Sequence, residues 1–172
     1  MPATYEPIAS TTLGSAATTV TLSAIPQTFT DLILVTRYRS TGGGSELYMW
    51  PNGDLASNET KFSRTYLSGN GSSASSGRQN PGNNGGYAGS IGWATNAGTN
   101  TTIVQMMSYT NPNVFKTSLV NMDIVQGVGL IARQVSLYMS TSAVSSLLFG
   151  LYPGQSFEVG TTFSLYAIKA SA

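Results

Sequence analysis

Apolar and polar residues alternate along most of this chain with a period of two, the pattern of β-strands that bury one face. Segment 31–39 is the strongest strand, with Leu32 and Leu34 on one face and Ile33 and Val35 on the other, and it ends in arginines. Its first half is therefore predicted to be buried on both sides and its second half to emerge to solvent. Similar segments recur every ten to fifteen residues, separated by turn residues and by no convincing helix. The pattern predicts roughly ten strands, at 18–23, 31–39, 47–50, 60–67, 88–94, 101–109, 114–126, 130–139, 147–151 and 163–167.

Segment 130–139 fits two kinds of element. A helix would group Ile131, Val135 and Tyr138 on one face. A strand would leave Arg133 as the misfit on an otherwise apolar face made of Ile131, Val135, Leu137 and Met139. We favour the strand, because the neighbouring segments are strands.

Short strands with this spacing favour an antiparallel sheet fold over alternating strand and helix units. We predict an all-β protein, an antiparallel β-sandwich of the jelly-roll type, which limits exposed sheet edges by doubling the sheet. A chain of 172 residues is long enough to bury one core. We therefore expect a single domain over residues 18–172.

Two segments depart from the alternation. Residues 1–17 mix prolines with small polar residues, which predicts an extended N-terminal arm. Residues 69–86 are rich in glycine, serine and asparagine, which predicts a long polar loop. Both could simply be solvated, or both could become ordered on a neighbouring subunit through their few anchors, Tyr5, Ile8, Leu13 and Arg78.

The charge content narrows the classes of partner. Charged residues make up 9% of the chain, against about 25% in typical domains. The net charge is +1 and no basic cluster is present, so we expect no binding to nucleic acid. The apolar runs are too short to span a bilayer and no secretory signal is visible, so we expect no membrane partner. Surfaces that are polar but uncharged are common in proteins that dock within large assemblies.

Few side chains here can perform chemistry. The chain has no histidine and no cysteine, which removes the usual general base and almost every zinc site. Asp54 and Glu59 could form a carboxylate pair, or could bind Ca²⁺ together with Asn52 and Asn58. Their spacing matches no defined calcium loop and is typical of a polar turn. We therefore predict no catalytic residue, no cofactor and no metal site.

Three aromatic residues, Trp50, Tyr87 and Trp93, are candidates for contact with a partner. Exposed aromatic rings can stack on sugars, so glycan recognition is one interpretation. Aromatic residues on strands more often belong to a core or an interface, and we favour packing between subunits.

Four blocks of the chain resemble small structural proteins of tailed bacteriophages. They are MPATYEPIASTTLGSAA at 1–17, IPQTFTDLILV at 25–35, YLSGNGSSASSGR at 66–78 and GTTFSLYAIKA at 160–170. The blocks follow one another in the same order along the whole chain, and the resemblance lapses between residues 87 and 129.

This resemblance implies a non-enzymatic virion protein located in the phage particle. Its first implication is a capsid decoration or cement protein, bound to the outer shell through the major capsid protein. The alternative is a tail or fibre protein that binds glycan on the host surface. Broad uncharged surfaces suit contacts between subunits, so we expect a homo-oligomer, and the resemblance implies that it is a trimer.

Overall fold

Twelve strands make up the framework of the described part of this protein. The computed structural model describes residues 5–55, 61–79, 90–125, 129–152 and 154–169. The first six strands are β1 (Glu6–Thr12), β2 (Thr19–Leu22), β3 (Asp31–Tyr38), β4 (Ser45–Pro51), β5 (Phe62–Gly69) and β6 (Ala74–Gln79). The other six are β7 (Ser90–Ala94), β8 (Asn100–Met107), β9 (Lys116–Ile124), β10 (Leu130–Tyr138), β11 (Leu147–Tyr152) and β12 (Thr162–Ile168).

The strands form two antiparallel sheets that pack as a sandwich. The large sheet has eight strands in the order β1-β12-β3-β8-β9-β10-β5-β6, and the small sheet has four in the order β2-β11-β4-β7. Four pairings are nested along the chain: β1 with β12, β2 with β11, β3 with β8, and β4 with β7. The hairpins β5–β6 and β9–β10 extend the large sheet beyond β8.

The core lies between the two sheets and follows from the alternation in each strand. In β3, Leu34 is 1% exposed and points toward the small sheet, whereas its neighbours Ile33 and Val35 are only half-buried. Aromatic rings join the sheets at one place, where Phe163 of β12 lies 4.7 Å from Phe149 of β11 between ring centroids. These observations confirm the predicted all-β sandwich.

Segment 130–139 is a strand, β10, as the spacing of its neighbours suggested. The face predicted for it is wrong, however. Ala132, Gln134 and Tyr138 are buried, while Ile131 and Val135 are exposed. The buried Gln134 is tolerated because its side-chain amide donates to the carbonyl oxygen of Ser90 at 2.7 Å, so the polar group keeps a partner.

The predicted free arm at 1–17 differs from the structure over most of its described length. Residues Glu6–Thr12 form β1, an edge strand of the large sheet paired with β12. Ile8 and Leu13 pack against the domain's own core, so they do not need a neighbouring subunit to become ordered. Backbone bonds between Leu13 and residues 160 and 161, at 2.8 and 2.9 Å, fasten the end of the strand. The first block of the chain is thus part of the fold.

The predicted loop at 69–86 also begins as regular structure. Asn70 closes a tight turn, because its side-chain oxygen accepts from the backbone N–H groups of Ser72 at 3.1 Å and Ser73 at 2.9 Å. Gly71 has φ of 86°, which glycine adopts without strain. The chain then returns as β6, paired with β5. The rest of the predicted loop, residues 80–86, lies outside the described residues.

Candidate functional site

The large sheet presents a broad surface that the small sheet does not cover, which we call the outer face. Side chains in a strand point alternately to the two sides of the sheet. Since Leu34, Val104, Val120 and Ala132 point into the core, the residues between them point outward. The outer face therefore includes Ile33, Val35, Arg37, Leu67, Arg78, Ile103, Leu119, Asp123, Ile131, Arg133 and Val135.

The centre of the outer face is apolar, and we call this the apolar patch. Ile131 is 71% exposed and is the most accessible of its members, which are Leu67, Ile103, Leu119, Ile131 and Val135. The strand register brings them together, since Val135 lies opposite Leu119 and Ile103 lies opposite the half-buried Val35. Contiguous exposed apolar surface on a soluble protein marks a site of interaction.

Three arginines share the outer face with the apolar patch. Arg133 lies within the patch, between Ile131 and Val135 on β10 and opposite Leu67, whereas Arg37 and Arg78 lie toward the two sides of the face. Among the described residues, no carboxylate forms an ion pair with any of these three arginines. The nearby Asp123 is engaged by the backbone N–H of Thr101. The outer face thus combines exposed apolar side chains with three arginines that form no ion pair among the described residues.

A groove lies at one end of the patch. It has a volume of about 1180 Å³ and runs between the β5–β6 turn and the ends of β9 and β10 near Val125 and Gly129. Leu67 and Ile131 line its apolar side, and Asn70 and Ser72 line its polar side. The groove is open to solvent, so a protruding side chain of a partner could enter it while the patch is covered.

The aromatic residues predicted from the sequence do not form one platform. Trp50 is half-buried, stacks on Tyr48 with ring centroids 5.2 Å apart, and packs beside Phe62. Trp93 is also half-buried and lies opposite Glu46, four positions from Trp50 along β4. The ring of Trp50 is therefore packed within the domain, and the ring of Trp93 lies against Gly44, where a Cβ would come 2.7 Å from its Cζ2. Tyr87 lies outside the described residues.

The remaining predicted anchors are spread over the molecule. Tyr5 is 55% exposed just before β1, and Arg78 is exposed on β6 at the opposite edge of the large sheet. Ile8 and Leu13 are half-buried and pack against the core, as described above. The structure therefore does not bring these anchors into one site.

The carboxylate at Asp54 has an internal role. Its Oδ2 accepts from the hydroxyl of Tyr138 at 2.7 Å and from Nζ of Lys61 at 3.1 Å. The side-chain oxygen of Asn52 accepts from the backbone N–H of Ser145 at 2.8 Å. Glu59 and Asn58 lie outside the described residues. Within the described ranges no group of three acidic, histidine or cysteine side chains could hold a metal ion, and no helix is long and apolar enough to cross a membrane.

Alkaline pH is expected to destabilise the protein partly through Tyr138. Burial, followed by the hydrogen bond to Asp54, raises its pKa from 10.0 to about 12. The folded state therefore keeps this proton longer than the unfolded state, and the stabilisation is present below pH 10 and lost as the pH rises through 12. The free energy of unfolding should fall less steeply over this window in Tyr138→Phe than in the wild type.

Comparison with the variant isolates Tyr138 from other groups. Burial also raises the pKa values of Tyr38 and Tyr109 and lowers the pKa of Lys116, but these groups are common to both proteins. Urea unfolding at several pH values from about 8 to about 12 would give both curves. Parallel curves would contradict the proposed role of Tyr138.

Sequence reasoning missed the apolar patch, although a signal for it was present. Strand 31–39 was apolar on both faces, and segment 130–139 carried apolar residues at odd positions beside Arg133. An arginine among apolar residues on one face indicates a surface, and the opposite face with Ala132 and Tyr138 then becomes the buried one.

Comparisons of the chain with protein-family models, with curated proteins and with solved structures found no match.

Proposed function

We propose that this chain is a non-enzymatic structural protein of a bacteriophage particle. In this proposal it is a capsid decoration protein that binds the major capsid protein through its outer face. The observation that carries this proposal is the apolar patch together with the arginines on the same face. The four blocks that resemble phage structural proteins support a role in a phage particle, and the exposed apolar side chains support the outer face as the docking surface.

Burial of the apolar patch would provide the affinity. Each large apolar side chain removed from water contributes roughly 1.5 to 3 kcal/mol before the costs of association are subtracted. The arginines would add orientation, because carboxylates on the partner would pair with Arg133 within the patch and with Arg37 and Arg78 at its sides. The fitting partner surface is therefore apolar, with acidic residues placed opposite these arginines.

The nested strand pairing supports a fold of the jelly-roll type for this role. Without the hairpins β5–β6 and β9–β10, eight strands remain, four in each sheet. Counted anew, they pair first with eighth, second with seventh, third with sixth and fourth with fifth, which is a long hairpin folded over itself. Double-sheet folds of this kind build many viral shells. The two extra hairpins enlarge the sheet that bears the outer face.

Rebinding to phage particles tests the proposal. Particles that lack the chain would be incubated with purified protein, sedimented and analysed by quantitative mass spectrometry. The wild type should bind in hundreds of copies per particle, as expected for a shell protein. Ile131→Thr/Val135→Thr should bind at least about tenfold more weakly, because two apolar contacts are lost while the strand propensity is kept.

A matched control separates the outer face from general hydrophobicity. Val114 and Val159 are also exposed, by 39% and 64%, but lie in connections outside the outer face. Val114→Thr/Val159→Thr should bind like the wild type. Binding limited to a few dozen copies would favour the tail or fibre alternative, and absence of the chain from native particles would refute a virion role.

A further inference from the structure

The outer edge of β6 is the most open of the sheet edges in the described part of the chain. The edge strand β1 contains Pro7 and a register shift just after it, both of which hinder pairing with another strand. In the small sheet, β2 has only four residues, and β7 has a shifted register and packs against β8 and β9. By contrast, β6 pairs evenly with β5 over six residues and has no described strand on its other side.

Small side chains leave the backbone of β6 accessible. Residues 74–77 are Ala, Ser, Ser and Gly, and Arg78 is the one charged residue of the strand. The strand is nevertheless held firmly by β5: the ring of Tyr66 lies over Gly77, where a Cβ would come within 2.6 Å of its Cζ, and the hydroxyls of Ser68 and Ser75 are 2.9 Å apart. A strand held in place with a bare outer edge is a template for β-sheet extension.

The turn geometry shows which backbone groups face outward. The N–H of Asn70 bonds to the carbonyl of Ser73 at 3.1 Å, so these two residues form a hydrogen-bonded pair. Such pairs alternate along an antiparallel ladder. Ser75 and Gly77 therefore bond to β5, and the N–H and C=O groups of Ala74, Ser76 and Arg78 point away from the sheet.

We propose that β6 pairs antiparallel with β6 of a second copy of this chain, with Ser76 opposite Ser76 across a two-fold axis. In this register, Ala74 of each copy pairs with Arg78 of the other, and the two Ser76 residues pair with each other. These three pairs would form about six backbone hydrogen bonds. It places each Arg78 opposite an alanine, with the two arginines about 13 Å apart along the strands. A register centred on Arg78 would put like charges directly opposite, which is destabilising.

The pairing has a consequence for the outer face. Two eight-stranded sheets would join into one continuous sheet, and the outer faces of both copies would lie on the same side of it. A two-fold contact of this kind can also connect neighbouring threefold clusters, so it does not conflict with the trimer expected from the resemblance. The proposed pairing of β6 strands is inferred from the sheet edge alone and does not depend on the proposed function.

A charge-exchange experiment tests the register. Ser76→Lys and Ser76→Glu each place like charges opposite each other across the axis, and each should raise the dimer dissociation constant at least about tenfold. An equal mixture of the two variants should dimerise within about threefold of the wild type, because opposite charges then meet. Thr12→Lys adds the same charge at the β1 edge and should leave the dissociation constant unchanged. Sedimentation equilibrium over a range of concentrations would measure all four samples beside the wild type.

Amide hydrogen exchange resolved by residue gives a second test. Ala74, Ser76 and Arg78 should become protected as the protein concentration rises, whereas Ser75 and Gly77 should already be protected in the monomer. A wild type that stays monomeric up to about 1 mM overturns the proposal, as does a dimer that resists both Ser76 variants or fails to recover in their mixture. A dimer weakened as strongly by Thr12→Lys also overturns it, because the β1 edge would then be involved.

Discussion

Phe163→Ala is expected to lower the free energy of unfolding by about 3 to 5 kcal/mol, the range for deletion of a fully buried aromatic ring. Phe163 is 0% exposed and lies on β12, between β1 and β3 in the large sheet. The centroid of its ring lies 4.7 Å from that of Phe149 in the small sheet and 5.4 Å from that of Phe157. The rings of Phe163 and Phe157 meet edge to face, with an angle of 87° between their planes. Removing it leaves a cavity where the two sheets meet.

The loss should be specific to this position. Phe157, the third ring, sits in the connection that bridges to Ala17 and Ser40, so three parts of the chain depend on the same cluster. Phe115→Ala removes the same atoms from a side chain that is 48% exposed and should change stability by less than about 1 kcal/mol. Urea unfolding of both variants at one protein concentration makes the comparison. Equal losses would mean that the Phe163 cluster does not hold the sheets together.

The alternation of apolar and polar residues was enough to predict the sandwich. Strands with one apolar face form sheets that bury this face, and two such sheets bury it against each other. It worked for one face of β3, where Leu32 and Leu34 are buried and Arg37 is exposed, but Ile33 and Val35, predicted to be buried as well, are only half-buried. It failed for β10, since hydrogen bonding makes Gln134 and Tyr138 acceptable inside while Ile131 and Val135 remain outside. A pattern of polarity cannot detect partners that are distant in sequence.

The same limit explains the missed strands. Segment 74–79 has almost no apolar residue, yet it is β6, because a turn closed by Asn70 and a neighbour with Tyr66 over Gly77 give it a partner. The prolines near β1 argued for a free arm, but an edge strand can hold Pro7 where its missing N–H is not needed. Both segments form strands through pairing rather than through their own periodicity.

Lys116 is a third case, in which hydrogen-bond partners allow a polar residue to be buried. This lysine is 0% exposed, although lysine side chains are almost never fully buried unless they have partners. Its Nζ donates to the backbone carbonyl oxygens of Asn111, Val114 at 3.0 Å and Thr141 at 3.1 Å. It thereby joins two connections at one end of the sandwich. The full extent of the apolar patch was missed for a related reason, since its members come from four strands and meet only through their register.

Gly92→Ala is the second substitution with a large expected effect, about 3 kcal/mol of lost stability, at the upper end for overpacking a core. Gly92 lies in β7, directly above the hydroxyl of Tyr38 in β3. A Cβ at this position would lie 2.8 Å from Oγ1 of Thr102 and 3.1 Å from Cζ of Tyr38. Both side chains are 0% exposed and share a hydrogen bond of 2.9 Å, so neither can swing aside without breaking it.

A double-mutant cycle distinguishes this crowding from a loss of backbone freedom. Tyr38→Phe removes the hydroxyl that the new methyl group would meet, so Gly92→Ala should cost at least about 1 kcal/mol less in the Tyr38→Phe background than in the wild type. Gly14→Ala is the control, because nothing lies within 4 Å of a Cβ there, and it should change stability by at most about 1 kcal/mol. If the two glycine substitutions cost the same, or if the cost at Gly92 is unchanged without the Tyr38 hydroxyl, the close approach of β7 to β3 does not constrain this position. The expected coupling would instead show that β7 needs a residue without a side chain at this point, because the small sheet meets a buried tyrosine of the large one there.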